Sequence, residues 1–186
     1  MTARPDLTVT VVSWNTRDLL RRCLASLQDG ARHTSLEVIV VDNASADGSA
    51  AMVRAEFPAV LLVENARNVG FSPACHQAWP LVRGRYWMLL NPDAETAPDA
   101  LDRLVAFLDA HPAAGGASAR LVDADGGVQH SAQPRPSLAL TALEASRLHK
   151  LLSREWRART LLGPYWTYDR PVQVGWTWAT ALAVRR

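Results

Sequence analysis

Cysteine is scarce: the chain has two, Cys23 and Cys75, far apart and outside any metal-ligand spacing. A zinc site and a disulfide framework are both disfavoured, and two buried free thiols are expected. No uncharged apolar stretch approaches the roughly 18 residues needed to cross a bilayer. The opening Met1-Thr2-Ala3-Arg4-Pro5-Asp6 lacks the basic start and apolar centre of a signal peptide, so a cytoplasmic protein is expected. Lysine is nearly missing, since Lys150 is the one lysine among 20 basic residues, a pattern that resembles a coding bias more than a functional choice. A net charge of +2 is too small for wholesale nucleic-acid binding, and no nucleic-acid partner is expected. Three motifs are absent: Gly-x-Gly-x-x-Gly after the first strand, the P-loop Gly-x-x-x-x-Gly-Lys-Ser/Thr, and the Gly-x-Ser-x-Gly elbow. Dinucleotide binding, P-loop chemistry and α/β-hydrolase chemistry lose support accordingly.

What is present is alternation. At 186 residues the chain suits one domain with a substantial core. Val- and Thr-rich Leu7 to Trp14 reads as a buried strand, followed by a helix to about Gln28 with Leu19, Leu20, Cys23, Leu24 and Leu27 at helical spacing. Leu36 to Val41, Val60 to Val63 and Tyr86 to Leu90 read as further strands. Helices are expected from Ser45 to about Phe57, from Ser72 to Val82, and from Pro98 onward. Right-handed βαβ crossovers and a mostly parallel sheet follow. After Pro112 the pattern turns α+β. A strand from Ala117 to Val122, a tight turn at Asp123-Ala124-Asp125-Gly126-Gly127 and a return from Val128 to Ser131 form the expected hairpin. Ser137 to about Leu162 is amphipathic and basic. Val172 to Val184 reads as a final strand region with Trp176 and Trp178 on one face. The expected organisation is a single domain, with a nucleotide-binding βα core over 1–112 and a hairpin, basic segment and final strand over 113–186.

Polar residues gather where strands end, the edge at which parallel sheets collect ligands. Asp42 closes an apolar strand, where a carboxylate has no packing role and can accept a hydrogen bond from a ligand such as a nucleobase N–H; helix capping is the plain alternative. Ser45 and Asp47 suit helix capping, Ser45 as N-cap and Asp47 in the first turn. Asp93, in Asn91-Pro92-Asp93, offers a hard oxygen for Mg²⁺ or Mn²⁺, which takes one or two protein carboxylates and completes its shell with phosphate and water. An Asx turn explains the same residues equally well. Gly70 permits positive φ or close approach to phosphate, although a plain turn needs nothing more. His76, a lone histidine on an apolar helix, is read as structural.

Together the blocks Val11-Val12-Ser13-Trp14-Asn15, Asp42-Asn43-Ala44-Ser45-Ala46-Asp47-Gly48-Ser49, Asn68-Val69-Gly70-Phe71 and Leu89-Leu90-Asn91-Pro92-Asp93 resemble family 2 glycosyltransferases of the GT-A fold, especially the bacterial rhamnosyltransferase-like branch. They are similar to that family's V-x-S-[YW]-N, D-[DN]-x-S-x-D-G-[ST], N-x-G-[FIA] and L-L-N-P-D blocks. Val174-Gly175-Trp176 through Val184-Arg185-Arg186 resembles its V-D-W…V-R-R strand, with Gly175 at the Asp position and Ala179 at a Gly. The resemblance implies an inverting, metal-dependent enzyme moving a sugar from a UDP- or dTDP-type donor to a cell-envelope or polysaccharide glycan. It assigns Val12, Ser13, Trp14, Asn15, Asp42, Asn43, Ser45, Asn68, Gly70 and Asn91 to the nucleotide sugar. Asp93 is assigned to a divalent cation, Mg²⁺ or Mn²⁺. Its F-x-x-V-G-G-F-D and E-D motifs, the latter carrying the general base, fall beyond Arg186, so no general base is expected in the chain. A truncated or non-catalytic homologue that binds nucleotide sugar without transfer is the alternative. A sugar-pyrophosphorylase-like nucleotidyltransferase is disfavoured by the want of an early Gly-rich loop. The run Arg147 to Arg159 suits either peripheral contact with an anionic membrane carrying a lipid-linked acceptor or an ordinary surface helix.

Overall fold

The computed structural model describes residues 4–186. They form two compact units, one reaching to Ala119 and including Ala179–Arg186, the other Arg120–Trp178.

The first unit is built on strands β1 (Leu7–Ser13), β2 (Leu36–Asp42), β3 (Leu61–Glu64), β4 (Tyr86–Leu90), β5 (Gly116–Ser118) and β6 (Ala181–Arg185). Their order is β3-β2-β1-β4-β6-β5; the first four are parallel, and β6 runs antiparallel to both neighbours. Every residue of β1 is buried, as expected for a strand covered on both faces. Helices α1 (Arg17–Gly30), α2 (Ser49–Glu56), α3 (Phe71–Ala78) and α4 (Ala100–Ala110) connect the strands. Leu20, Cys23, Leu24 and Leu27 of α1 and Leu101, Leu104, Val105 and Leu108 of α4 are buried at helical spacing. A separate cluster packs Ala74, Cys75, Ala78 and Val82 on Val12, Ile39 and Val41. Both cysteines are free and buried. The chain reverses its sheet order at β1, so the loops after β1, β2 and β4 open at a topological switch point.

Several boundaries differ from the sequence reading. The second helix begins at Ser49, not Ser45: Asp47 accepts from the Ser49 N–H and hydroxyl at 3.0 and 2.6 Å, serving the first turn in the place expected of Ser45. The helix from Ser72 becomes α3 plus a 3₁₀ turn, Trp79–Leu81, because Pro80 has no N–H with which to extend an α-helix. The hairpin shrinks to one bridge, Val122 to Val128, closed by the Asp123 N–H to Gly127 carbonyl bond of 2.7 Å. Its first residues instead supply β5 to the main sheet. The final strand is only Ala181–Arg185, since Trp176 pairs with Gln133 in the second unit.

The second unit contains α5 (Leu138–Ala145), α6 (Arg154–Thr160) and two 3₁₀ turns, Leu148–Leu151 and Gly163–Tyr165. The basic stretch is therefore broken into pieces: Arg147 takes a left-handed φ of 58°, which ends helical propagation, and Ser153 caps α6 by accepting from the Trp156 N–H. Gly175 is locked between the Gln133 carbonyl, which accepts its N–H at 2.9 Å, and the Pro134–Arg135 backbone. A Cβ at Gly175 would lie 2.1 Å from the Arg135 nitrogen, which gives a physical reason for the departure from V-D-W. Gly175→Asp is expected to destabilise the fold by about 3 kcal/mol, the upper range for overpacking, read as a lowered urea midpoint.

At the opposite edge of the sheet from the switch point, the Arg85 guanidinium meets Asp6 and Asp109, each at 2.8 Å, and Tyr86 donates to Asp109 at 2.6 Å. Arg185 closes the cluster by donating to Tyr86 Oη, to the His111 and Ala114 carbonyls, and to that of Leu108. Hydrogen bonds from the Ser35 hydroxyl and Arg85 hold Asp6 down to about 2, and the same arginine with Tyr86 holds Asp109 below the usual carboxylate range. Carboxylates depressed in the folded state stabilise it above their unfolded value and lose that contribution as pH falls through the folded one. Thermal midpoints are therefore expected to be level above about pH 5 and to fall between about pH 4 and pH 2, with Asp6→Asn flattening part of the decline.

Candidate functional site

The β1–β2 register sets Ser13 opposite Asp42, both buried at the carboxyl ends of their strands. Here the two following loops are clasped together. Asn15 takes a left-handed φ of 55°, its N–H donates to Ser45 Oγ at 2.9 Å, and its own Oδ1 accepts from the Ala46 N–H at 2.8 Å. Ser13 Oγ bonds Thr16 Oγ1 at 2.8 Å, and Asp47 Oδ2 accepts the Arg17 N–H at 2.8 Å. Burial pushes the Asp47 carboxyl up, but the Ser49 hydroxyl and the backbone N–H groups of Arg17, Ser49 and Asp47 itself outweigh it and leave it below its ordinary value. Asp47 thus acts as a joint between α1 and α2.

Asp42 is different. Its side chain lies in a residue only 3% exposed, and one oxygen, Oδ2, accepts from the Ser45 N–H at 2.9 Å. The other, Oδ1, is buried without a partner; among the described residues the one other such side-chain atom is Arg157 Nε. A buried carboxylate oxygen with nothing to accept is costly and marks a place where a donor is missing. Trp14, which follows Ser13 in sequence, stands exposed. Val12, by contrast, turns its side chain into the core under α3, leaving its backbone alone for any ligand.

Asn43 does not face free space either. Its Oδ1 accepts from Asn65 Nδ2 at 2.8 Å, its Nδ2 donates to the Gly70 carbonyl at 3.3 Å, and Asn65 and Gln77 exchange two amide bonds of 2.9 and 3.0 Å. This ladder ties β2 to the loop before α3. Gly70 sits at φ 87° with its N–H held by Asn68 Oδ1 at 2.9 Å, a conformation that favours glycine. An open cleft of about 730 Å³ lies here, lined by Arg67, Asn68, Val69, Pro73, His76 and Gln77. The sequence reading set His76 aside and passed over Arg67; the spacing of Pro73, His76 and Gln77 on one helical stripe was the available signal.

After β4, Asn91 donates its N–H to the Thr180 carbonyl at 2.9 Å, and the turn is closed by backbone, Ala94 N–H to Asn91 C=O at 3.2 Å. The Asp93 carboxylate is exposed and accepts no hydrogen bond among the described residues, so the side chain is not the acceptor of an Asx turn. Glu95 is engaged by Arg22 at 3.0 Å. The Cys23 thiol is pushed up to about 12 by burial and then by the Asp93 and Glu95 charges, which rules it out as a nucleophile near neutral pH. No group of three or more His, Cys, Asp or Glu side chains that could hold a metal occurs among the described residues. A single hard carboxylate does fit Mg²⁺ or Mn²⁺ carried in with a diphosphate, and does not fit zinc.

Comparison with known proteins supplies the family. The model "Glycosyl transferase family 2" matches residues 8–172. An N-acetylglucosaminyl-diphospho-decaprenol L-rhamnosyltransferase of Mycobacterium tuberculosis is 27% identical over 97% of this chain and 61% of its own length. The succinoglycan biosynthesis protein ExoO of Rhizobium meliloti is 36% identical over 57% of the chain and 30% of its own length. Among solved structures, the Pyrobaculum calidifontis mannosyltransferase PcManGT, in complex with GDP-Man and Mn²⁺, superimposes with TM-score 0.57 at 31% identity, over 66% of this chain and 37% of that one. TarS of S. aureus matches with TM-score 0.59 at 21% identity over 72% and 42%, a likeness of fold. The chain spans about three fifths of the length of the mycobacterial relative. The mostly parallel sheet, with its antiparallel strand beside β4, is the GT-A-like fold of these neighbours, and the chain belongs to glycosyl transferase family 2.

Proposed function

We propose that the switch-point edge binds the nucleotide of a UDP- or dTDP-type sugar, and that the protein transfers this sugar, with inversion, to a cell-envelope or polysaccharide glycan. The observation that carries the reading is Asp42 Oδ1, buried and unpartnered at the end of β2. Uracil and thymine each present one imide N–H between two carbonyls, the donor such an oxygen lacks. Guanine presents two adjacent N–H donors that would call on both carboxylate oxygens, and Oδ2 is already held by Ser45. Ser13, Trp14, Asn15 and the main chain of Val12 frame the base and ribose; Asn43 and Ser45 hold that frame in place. Asn68 and Gly70 form the loop on the α3 side.

Asp93, with Asn91 fixing its turn, would hold Mg²⁺ or Mn²⁺. When bound, such a cation would supply neutralisation of the charge on the departing nucleoside diphosphate. An acceptor hydroxyl attacks the anomeric carbon from the face opposite the diphosphate; its oxygen–carbon bond forms as the glycosidic oxygen leaves with the nucleotide, and the hydroxyl proton passes to solvent. The M. tuberculosis relative is named for a diphospho-decaprenol-linked sugar, which supports a lipid-linked acceptor in the present case.

Calorimetry with UDP, dTDP and GDP, with and without Mn²⁺, tests the donor reading. UDP or dTDP should bind at least about tenfold more tightly than GDP, the difference one unmatched buried donor makes. Failure of both pyrimidine nucleotides to bind would overturn it. Donor binding without transfer to any glycan would assign the protein to the non-catalytic alternative.

A further inference from the structure

Between α5 and α6 the second unit presents a surface that the donor site does not use. The 3₁₀ turn Leu148–Leu151 sends one side chain inward: His149 is buried, its Nδ1 is 3.4 Å from the Leu143 carbonyl, and its ring lies edge-on to Tyr165. Its neighbours go the other way. Leu151 is 83% exposed and Leu148 54%, and Leu138, at the start of α5, is 91% exposed. Trp156 on α6 is also exposed. Three apart on a 3₁₀ turn, Leu148 and Leu151 lie on one side and form a single exposed apolar pair, and such surface rimmed by polar residues marks a protein or membrane contact.

The charge around them is predominantly positive, with Glu144 of α5 against it. Arg147, Lys150, Arg154 and Arg159 are exposed, while Glu155 is engaged by Arg159 at 2.8 Å. Arg157, counted with the basic run from sequence, turns away from this set and stacks its guanidinium 5.0 Å over the Tyr165 ring. Leucines and a tryptophan flanked by arginine and lysine are the composition of a segment lying at a lipid headgroup boundary. A protein groove of matching shape would need acidic side chains placed against four separate cations, whereas an anionic leaflet offers phosphates everywhere along its plane.

We propose that this face docks on an anionic lipid surface, with Leu148 and Leu151 entering the headgroup boundary and Arg147, Lys150 and Arg154 meeting lipid phosphates. The test is co-sedimentation of the full chain with phosphatidylcholine vesicles, with and without phosphatidylglycerol. The wild type should partition onto the phosphatidylglycerol vesicles and be released by salt. Arg147→Glu with Lys150→Glu should weaken partition at least tenfold, each charge lost being worth about fivefold, and Leu148→Ser with Leu151→Ser should do likewise. Arg103→Glu, an exposed charge reversal on α4, should leave it unchanged. Circular dichroism and nucleotide binding, both followed in parallel, should stay at wild-type values, which keeps this outcome separate from that of the donor reading. Equal partition onto both vesicle types, or a loss with Arg103→Glu as large as with the other variants, would overturn the proposal. So would self-association in place of vesicle binding, abolished by the leucine substitutions.

Discussion

Asp42→Ala is expected to weaken UDP or dTDP binding about 10- to 100-fold while leaving the fold intact, because a hydrogen bond to a charged group is worth about 1.5–3 kcal/mol. The structure makes this a clean substitution. Oδ1 has no protein partner to lose, and the single bond from Ser45 is offset by removal of a buried carboxylate. Thermal stability of the unliganded variant should thus stay within about 1 kcal/mol of wild type. Asp42→Asn is the sharper probe, since it keeps the shape but has only one oxygen. With that oxygen toward Ser45, the amide NH₂ confronts the imide N–H of the base, donor against donor. With the amide reversed, the Ser45 N–H loses its acceptor. Either arrangement should cost nearly as much affinity as alanine, measured by calorimetry; undiminished binding in Asp42→Asn would mean that the base is read elsewhere.

Asp93→Ala is expected to abolish the enhancement of nucleotide binding by Mn²⁺, a loss on the order of 100-fold in the metal's presence and little change in its absence. The reason is that no group of three or more carboxylate, histidine or thiolate side chains able to hold a metal occurs among the described residues, so the cation would depend on Asp93 and the diphosphate. The readout is the ratio of affinities with and without Mn²⁺, which a merely destabilised variant would preserve. Because the Asp93 side chain is exposed and carries no hydrogen bond from the described residues, its removal should not disturb the Asn91–Ala94 turn. The same substitution removes one of the two charges that oppose thiolate formation at Cys23, although burial, the larger cause, still keeps that thiol protonated.

The contrast between these residues and Asp47 shows what patterns can separate. In sequence, Asp42 and Asp47 belong to one acidic block, yet one ends a strand and the other starts a helix. Strand-end position alone singled out Asp42, and helix-start chemistry alone assigned Asp47 to capping; the structure puts Asp42 at the end of β2 and the Asp47 carboxylate on the first turn of α2. It moved the first turn, however, from Ser45 to Ser49. The Asn15–Ser45 clasp connects residues thirty apart, and no local rule anticipates that Ser45 is needed there. Asn43 is a similar case: resemblance placed it at the ligand, and the structure occupies both ends of its amide with Asn65 and Gly70. The basic segment is divided for a related reason. Composition from Ser137 to Leu162 favours helix throughout, but a left-handed Arg147 and the Ser153 cap divide it, and neither break carries a glycine or proline to announce itself.

The sequence by itself determined the βα alternation, the parallel sheet and the clustering of polar blocks at strand ends, because strand and helix periodicities and end signals are local properties of adjacent residues. It also sufficed to identify the family. Tertiary structure alone decided that β6 enters antiparallel beside β4, that Trp176 leaves the sheet for Gln133, and that Gly175 tolerates no side chain. It likewise decided which polar groups near the switch point are spent on one another. Hydrogen-bond satisfaction is a property of the whole neighbourhood, so only the folded chain distinguishes the carboxylate oxygen left without a donor from the many that have one.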